Sequence, residues 1–270
     1  MPSAPSILAP QPAPNAATTP PGAAPTILLH GFTGAPAGWD PVLAEMARPL
    51  VAVVPWLPGH HPDAVPLELD FLATVRRLAE HLAQHAGGPL IGYSLGGRLA
   101  LALVASGWDC SSLTLIGAHP GLADGDLLGR AQRARDDARW AALARQHGTA
   151  AFIDAWSQQP LLKAPGGPPD HLQPGIEARR RAQAVWRQQH APWALAAVLE
   201  RLSLARMPSF WAVLPNLPMP VHFIAGRADR RFAALAERAA AMTPGARLSL
   251  LAGCGHSPLI DAPTALARIL

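Results

Sequence analysis

The stretch LIGYSLGGRLALALVASG, Leu90 to Gly107, limits what this chain can fold into more than any other segment. An apolar run of strand length passes straight into Gly92-Tyr93-Ser94-Leu95-Gly96, a G-x-S-x-G, and the residues that follow take up helical spacing. A G-x-S-x-G alone recurs in many ordinary loops. Between a strand and a helix it predicts a sharp turn that exposes the serine, with small residues on either side so that the turn can pass close to its neighbours. Ser94 is therefore the candidate nucleophile. Arg98 adds a question, because it stands in the first turn of the helix, where the macrodipole already concentrates positive charge. A cation at that place predicts an anionic visitor.

The rest of the chain alternates between two periods. TILLHGF (Thr26–Phe32), LVAVVPW (Leu50–Trp56), SLTLIGA (Ser112–Ala118), VHFIAG (Val221–Gly226) and RLSLLAG (Arg247–Gly253) are short apolar runs, as in strands buried on both faces of a parallel sheet. PAGWDPVLAEMARP, LDFLATVRRLAEHLAQHAG (closing at Gly87) and FAALAERAAAM have helical spacing. Repeated βα units predict an α/β fold, with a mainly parallel sheet and helices on both faces.

Between Ala118 and Val221 this rhythm stops. LLGRAQRARDDARWAALARQHG and AAFIDAWSQQPLL read as two helices, KAPGGPPD (Lys163–Asp170) as a loop, and two or three more helices follow. A helical insertion after a sheet strand reads as a lid over the strand ends, where an active site lies in such folds. The expected organisation is a Pro/Ala-rich tail (1–24), a first core part (25–121), a lid (122–207) and a second core part (208–270).

A serine hydroxyl needs a base, and the base an orienting carboxylate. Asp229, in AGRADRRF, and His256, in LAGCGHSPL, each follow a strand and come in the order serine, acid, histidine. Asp124 and Asp126, after SLTLIGA, are rival acids or caps of the first lid helix. His60, His61, His81, His85, His147, His171 and His190 fall in loops or on polar faces and are read as solvated. Backbone N–H groups of Leu95, next to the nucleophile, and Phe32, in the early loop LHGFTG, are the candidate oxyanion donors. His30 either shapes that loop or is simply buried structure.

The Lys+Arg count of 22 exceeds the Asp+Glu count of 18, and Lys163 is the only lysine. The arginines are dispersed rather than clustered, which argues against nucleic-acid and membrane partners and leaves small acidic substrates. No run approaches the roughly 18 apolar residues of a membrane helix. The first residues lack a basic n-region and are broken by prolines, so a cytoplasmic protein is expected, with Cys110 and Cys254 as free thiols. No H-E-x-x-H, paired C-x-x-C or G-x-G-x-x-G is present, so neither a metal nor a cofactor is expected.

Through LHGF, LPGH, GYSLGGR, GRADRRF and GCGHS the chain resembles the α/β-hydrolase superfamily. Through GYSLGGR, the helix bearing Arg133 and Trp140, FIDAWSQQPLL, VWRQQ and ADRRF it is similar to the 2-succinyl-6-hydroxy-2,4-cyclohexadiene-1-carboxylate synthases of menaquinone biosynthesis. That resemblance implies elimination of pyruvate from a cyclohexene bearing three carboxylates. It implies Ser94, Asp229 and His256 as the triad, and Tyr93, Arg98, Arg133, Trp156, Arg187 and Arg231 as substrate contacts. Arg231 stands where that family usually has lysine, and WLPGHH where it usually has D-L-P-G-H-G. Three carboxylates call for several guanidinium groups in one cleft. Against this, Arg133 has Asp136 and Asp137 at helical spacing as plain ion-pair partners, and Arg187 can be a solvated helix residue. A serine hydrolase of a small acidic ester, thioester or C–C substrate is the alternative, and a non-catalytic binding protein the third reading.

Overall fold

The computed structural model describes residues 11–12, 24–162 and 175–270. Its sheet consists of β1 (Gln11–Pro12), β2 (Thr26–Leu29), β3 (Ala52–Val54), β4 (Leu90–Tyr93), β5 (Leu113–Ile116), β6 (Val221–Gly226) and β7 (Arg247–Leu251), in the order β1-β3-β2-β4-β5-β6-β7. Only β1 is antiparallel, pairing Gln11 with Val54 at one edge. The other strands are parallel, as the apolar runs predict. Alternate residues face opposite layers. Leu90, Leu113, Leu115 and Phe223 join one core and Ile91, Ile116 and Ile224 the other, so both faces are covered.

The chain builds β2 and β3 outward on one side and then returns to lay β4 on the other side of β2. A crevice opens at such a reversal, beyond the carboxyl ends of the strands. The loop after β2 and the turn after β4 are thereby neighbours, and both belong to the site described below.

Helix α3 (Leu95–Ala105) is buried along nearly its whole length, with Leu95, Leu99, Leu101 and Leu103 in the core. Helix α2 (Phe71–Leu82) starts where the Asp70 side chain accepts from the Ala73 amide at 2.7 Å, and relaxes through a 3-10 turn at Ala83–His85. The expected helix over PAGWDPVLAEMARP is much reduced, to a 3-10 turn at Pro36–Trp39 and α1 (Asp40–Leu43). Its prolines suit only helix starts, and the chain must reach β3 soon afterwards.

Between β5 and β6 stand α4 (Leu127–Ser157), α5 (Ile176–Arg187) and α6 (Pro192–Arg201). Within α4 the backbone breaks at Gly148 (φ 77°, ψ 177°), so the two expected helices are present as two arms. In a straight helix Trp140 and Trp156 would lie roughly 24 Å apart, but their rings are 5.1 Å apart because the second arm folds back. The loop Lys163–Asp170 and His171 lie outside the described residues, as does most of the N-terminal tail. Arg130 closes the neck of this helical segment. It donates to the carbonyls of Leu122 and Ala123, where the segment departs, and of Ala205 and Met207, where it returns. The helices β6 and β7 carry are α7 (Arg230–Met242), α8 (Pro258–Asp261) and α9 (Pro263–Ala267).

The turn at Ser94 depends on close backbone approach. A Cβ on Gly96 would meet the carbonyl oxygens of Leu29 and His30, which are backbone and cannot step aside, whereas a Cβ on Gly125 would meet nothing within 4 Å. Gly96→Ala is expected to cost on the order of 3 kcal/mol or more and Gly125→Ala to be near neutral. Thermal melts of the two variants check this.

Candidate active site

Ser94 adopts φ 53°, ψ −109°, a left-handed backbone that serine rarely takes. Its amide donates to the Ile116 carbonyl at 2.8 Å, and its own carbonyl accepts from the Arg98 amide at 3.0 Å. The side chain is thus held at the head of α3, above the sheet. Its Oγ lies 3.2 Å from His256 Nε2. His256 Nδ1 lies 2.7 Å from Asp229 Oδ2, and both residues are buried. A carboxylate can only accept, so Nδ1 carries the proton and Nε2 turns its lone pair to the serine. Asp229 also caps α7, its Oδ1 accepting from the Phe232 amide at 3.2 Å.

The rival acids are used elsewhere. Asp126 caps α4 through the Gly129 amide, and Asp124 accepts from Arg130 and the Ser209 amide. Leu95 opens α3, so its N–H has no acceptor within the helix. Phe32 sits in a turn closed by Gly34 N–H to the Gly31 carbonyl at 2.9 Å. His30 braces that turn. Its Nε2 accepts from the Leu57 amide at 3.1 Å, so its Nδ1 donates to the Gly31 carbonyl at 2.9 Å. Burial pushes this imidazole down to about 3, keeping it neutral.

A cavity of about 520 Å³ opens over Ser94 and His256, and the structure places every one of the expected contacts on its walls: Phe32, Tyr93, Leu95, Arg98, Arg133, Trp156, Arg187 and Arg231. Arg98 is half-buried, and its Nη1 donates at 2.8 Å to the Leu202 carbonyl, which ends α6. The negative end of one helix dipole thus offsets a cation set on the positive end of another. Burial and then Arg133 push its guanidinium down to about 9, Asp137 opposing. Arg133 pairs through Nε with Asp137 at 2.8 Å, the helical pairing expected of it, while remaining on the cavity wall. Arg187 is not solvated. Its Nε is buried with no hydrogen-bond partner among the described residues, and burial brings it to about 10. Arg231 is exposed at the rim beside Phe232. The Tyr93 hydroxyl lies 3.3 Å from Ser257 Oγ, and burial raises the phenol to about 12.

Apolar rings fill the opposite wall. Trp156 stacks on Phe152 at 5.5 Å and meets Phe32 edge-on at 5.0 Å, joining the loop after β2 to α4. Asp137, the partner expected for Arg133, also accepts from Ser203 Oγ at 2.6 Å, a long-range contact that the sequence does not show. One wall residue was not singled out in the sequence. His119 faces the cavity just beyond β5. Its place after a strand end, like those of Ser94, Asp229 and His256, was the available signal.

His60 and His190 correct the solvated reading, being almost completely buried. His190 Nδ1 bonds the His60 carbonyl at 2.6 Å and His60 Nδ1 the Pro58 carbonyl at 3.0 Å, while His30, His60 and His190 pack edge to face. Cys110 and Cys254 are free and buried. Among the described residues no group of three or more His, Cys, Asp or Glu could hold a metal ion, and no helix is long and apolar enough to cross a membrane.

A family model described as "Alpha/beta hydrolase family" matches residues 26–269. The chain belongs to the alpha/beta hydrolase family. It is 31% identical over 257 residues to a 2-succinyl-6-hydroxy-2,4-cyclohexadiene-1-carboxylate synthase of Salmonella schwarzengrund (strain CVM19633), covering 93% of this chain and 95% of that one. The resemblance to these synthases read from the motifs is thus borne out. Among solved structures, MenH from S. aureus superposes with a TM-score of 0.80 at 22% identity, covering 90% of each chain. A thermophilic esterase from Thermogutta terrifontis, with malate bound, superposes with a TM-score of 0.77 at 20% identity, covering 97% of this chain and 90% of that one. Both share this fold.

Burial keeps His30, His60 and His190 neutral in the fold, each lowered from its ordinary value. Below the ordinary histidine range the unfolded chain takes up protons that the fold refuses. Their stabilisation is therefore complete above about pH 7 and lost as the pH falls, by up to about 1.4 kcal/mol per pH unit for each imidazole. The melting temperature is expected to drop between pH 7.5 and pH 5, and less steeply in His60→Gln.

Proposed function

We propose that this protein is a lyase that eliminates pyruvate from a tricarboxylate cyclohexene intermediate of menaquinone biosynthesis. The observation that carries the reading is the convergence of Arg98, Arg133, Arg187 and Arg231 on the cavity that also holds the Ser94–His256–Asp229 chain. Wall carboxylates are already engaged, Asp137 by Arg133 and Asp136 by Arg139 and Gln132. An ester pocket for neutral substrates has no use for such an excess of cations, whereas a substrate with three carboxylates does. The similarity to synthases of this activity supports the same assignment.

In this reading His256 takes the Ser94 proton, and the serine oxygen removes the proton alpha to the succinyl ketone. Enolate charge develops on the ketone oxygen, stabilised by the Leu95 and Phe32 amides. The electrons then pass into the ring, the C–O bond to the enolpyruvyl group breaks, and the ring becomes a diene. The departing enolpyruvate takes a proton and becomes pyruvate. Ser94 forms no bond to carbon, so the triad acts as a base. Residues 122–207 act as the lid over this chemistry, contributing Trp156, Arg133 and Arg187 to the cavity wall, while Arg98 and Arg231 come from core parts 25–121 and 208–270.

Purified protein is expected to release pyruvate from the tricarboxylate precursor. His256→Ala should lower that turnover at least about a hundredfold while the fold persists. Arg187→Ala should lower kcat/KM by about ten- to a hundredfold, the loss of a hydrogen bond to a charged group. It is a cleaner probe than Arg98, which also ties α3 to α6. The serine hydrolase reading is favoured by the same serine–histidine geometry, and nitrophenyl acetate separates the two. The lyase gives no acyl-enzyme burst, whereas a strong burst indifferent to Arg187→Ala, with no pyruvate formed, transfers the assignment to a hydrolase.

A further inference from the structure

We propose that His119 is a further substrate-binding residue of this cavity, donating a hydrogen bond from Nε2, as a neutral imidazole, to a hydroxyl or carboxylate oxygen of the anionic substrate. This rests on the polycarboxylate reading above and adds to it a contact without charge.

His119 stands three residues beyond β5 and is buried in the cavity wall. Its ring is edge-on to Phe232 at 6.5 Å, and Phe232 in turn packs on the His256 ring at 4.4 Å, so the imidazole belongs to the shell around the reacting groups. The Gly121 amide donates to His119 Nδ1 at 3.0 Å. An amide N–H can only donate, so Nδ1 must accept, and the single proton of a neutral ring lies on Nε2. No group among the described residues accepts from Nε2, and that atom is not sealed in the interior. Its partner must come from the cavity.

Burial, and then the guanidiniums of Arg231 from α7, Arg98 from α3 and Arg133 from α4 on the same cavity, keep the ring in this form, pushing the imidazole down to about 4. A further cation among these guanidiniums would repel them when the site is empty. A neutral N–H adds a directional donor without that cost, and a buried donor discriminates strongly against an analogue that offers no acceptor.

Citrate, with three carboxylates and a hydroxyl, is the probe, and its binding is measured by calorimetry on wild type, His119→Asn and His119→Gln alongside thermal melts. Asparagine can accept from the amide two residues on, which preserves the turn, but its amide nitrogen stops short of the Nε2 position. Glutamine reaches that position. The expected result is citrate binding weakened about tenfold in His119→Asn, largely restored in His119→Gln, with all three proteins melting together. Equal affinity of His119→Asn and wild type overturns the proposal, as does a weakening shared by His119→Gln or accompanied by a lowered melting temperature. If wild type itself does not bind citrate, the polycarboxylate reading falls and the role of His119 falls with it. If wild type binds and His119→Asn is indifferent, only the role of His119 falls.

Discussion

Everything at the centre of this molecule depends on the backbone of Ser94 being held where serine does not rest by choice. A left-handed residue of this kind costs about 1–3 kcal/mol and persists only when its surroundings over-determine it. Here the surroundings are β5, which accepts its amide, α3, which begins on its carbonyl, and glycines that let β2 and α3 come close. The reversal of strand order beside β2 then brings the Phe32 turn next to it. The geometry around the serine is therefore a property of the sheet as a whole, which is why acid and histidine, arriving on later strands, meet it in register.

Charge organises the other half of the site. Burying Arg98 and Arg187 is expensive, and the fold offsets only part of that expense. Arg98 is met by the carboxyl end of α6 and Arg133 by Asp137, whereas Arg187 Nε has no hydrogen-bond partner among the described residues. The balance is left to what enters. Two surfaces thus share one cavity: rings of Phe32, Trp140 and Trp156 against an apolar face, and guanidiniums around a charged one.

The strands, the serine turn and the acid and histidine were legible because each is written locally, as an apolar run followed by a turn residue. The arginines were legible as residues but not as partners. Nothing in the order of residues says that the carbonyl facing Arg98 is that of Leu202, more than a hundred positions away. His60 and His190 were misread for the same reason, since polar neighbours in sequence suggest water while Trp56 and His30 surround them in space. Arg130 had no signal at all, because its acceptors are backbone carbonyls that any residues would supply. Local grammar gives the scaffold, and long-range pairing decides what its polar groups do.

Gly148 carries a different kind of consequence. No atom within 4 Å would meet a side chain added there, so by inspection of space the position is free. Its backbone, however, lies at φ 77°, ψ 177°, a region that essentially only glycine occupies. The fold-back that brings Trp156 to Trp140 hangs on that one residue. In evolutionary terms, the shape of the aromatic wall is tied to a single codon well away from the chemistry. Natural variation in pocket shape should therefore arise by changing the arms on either side of the bend, with the bend itself inherited unchanged.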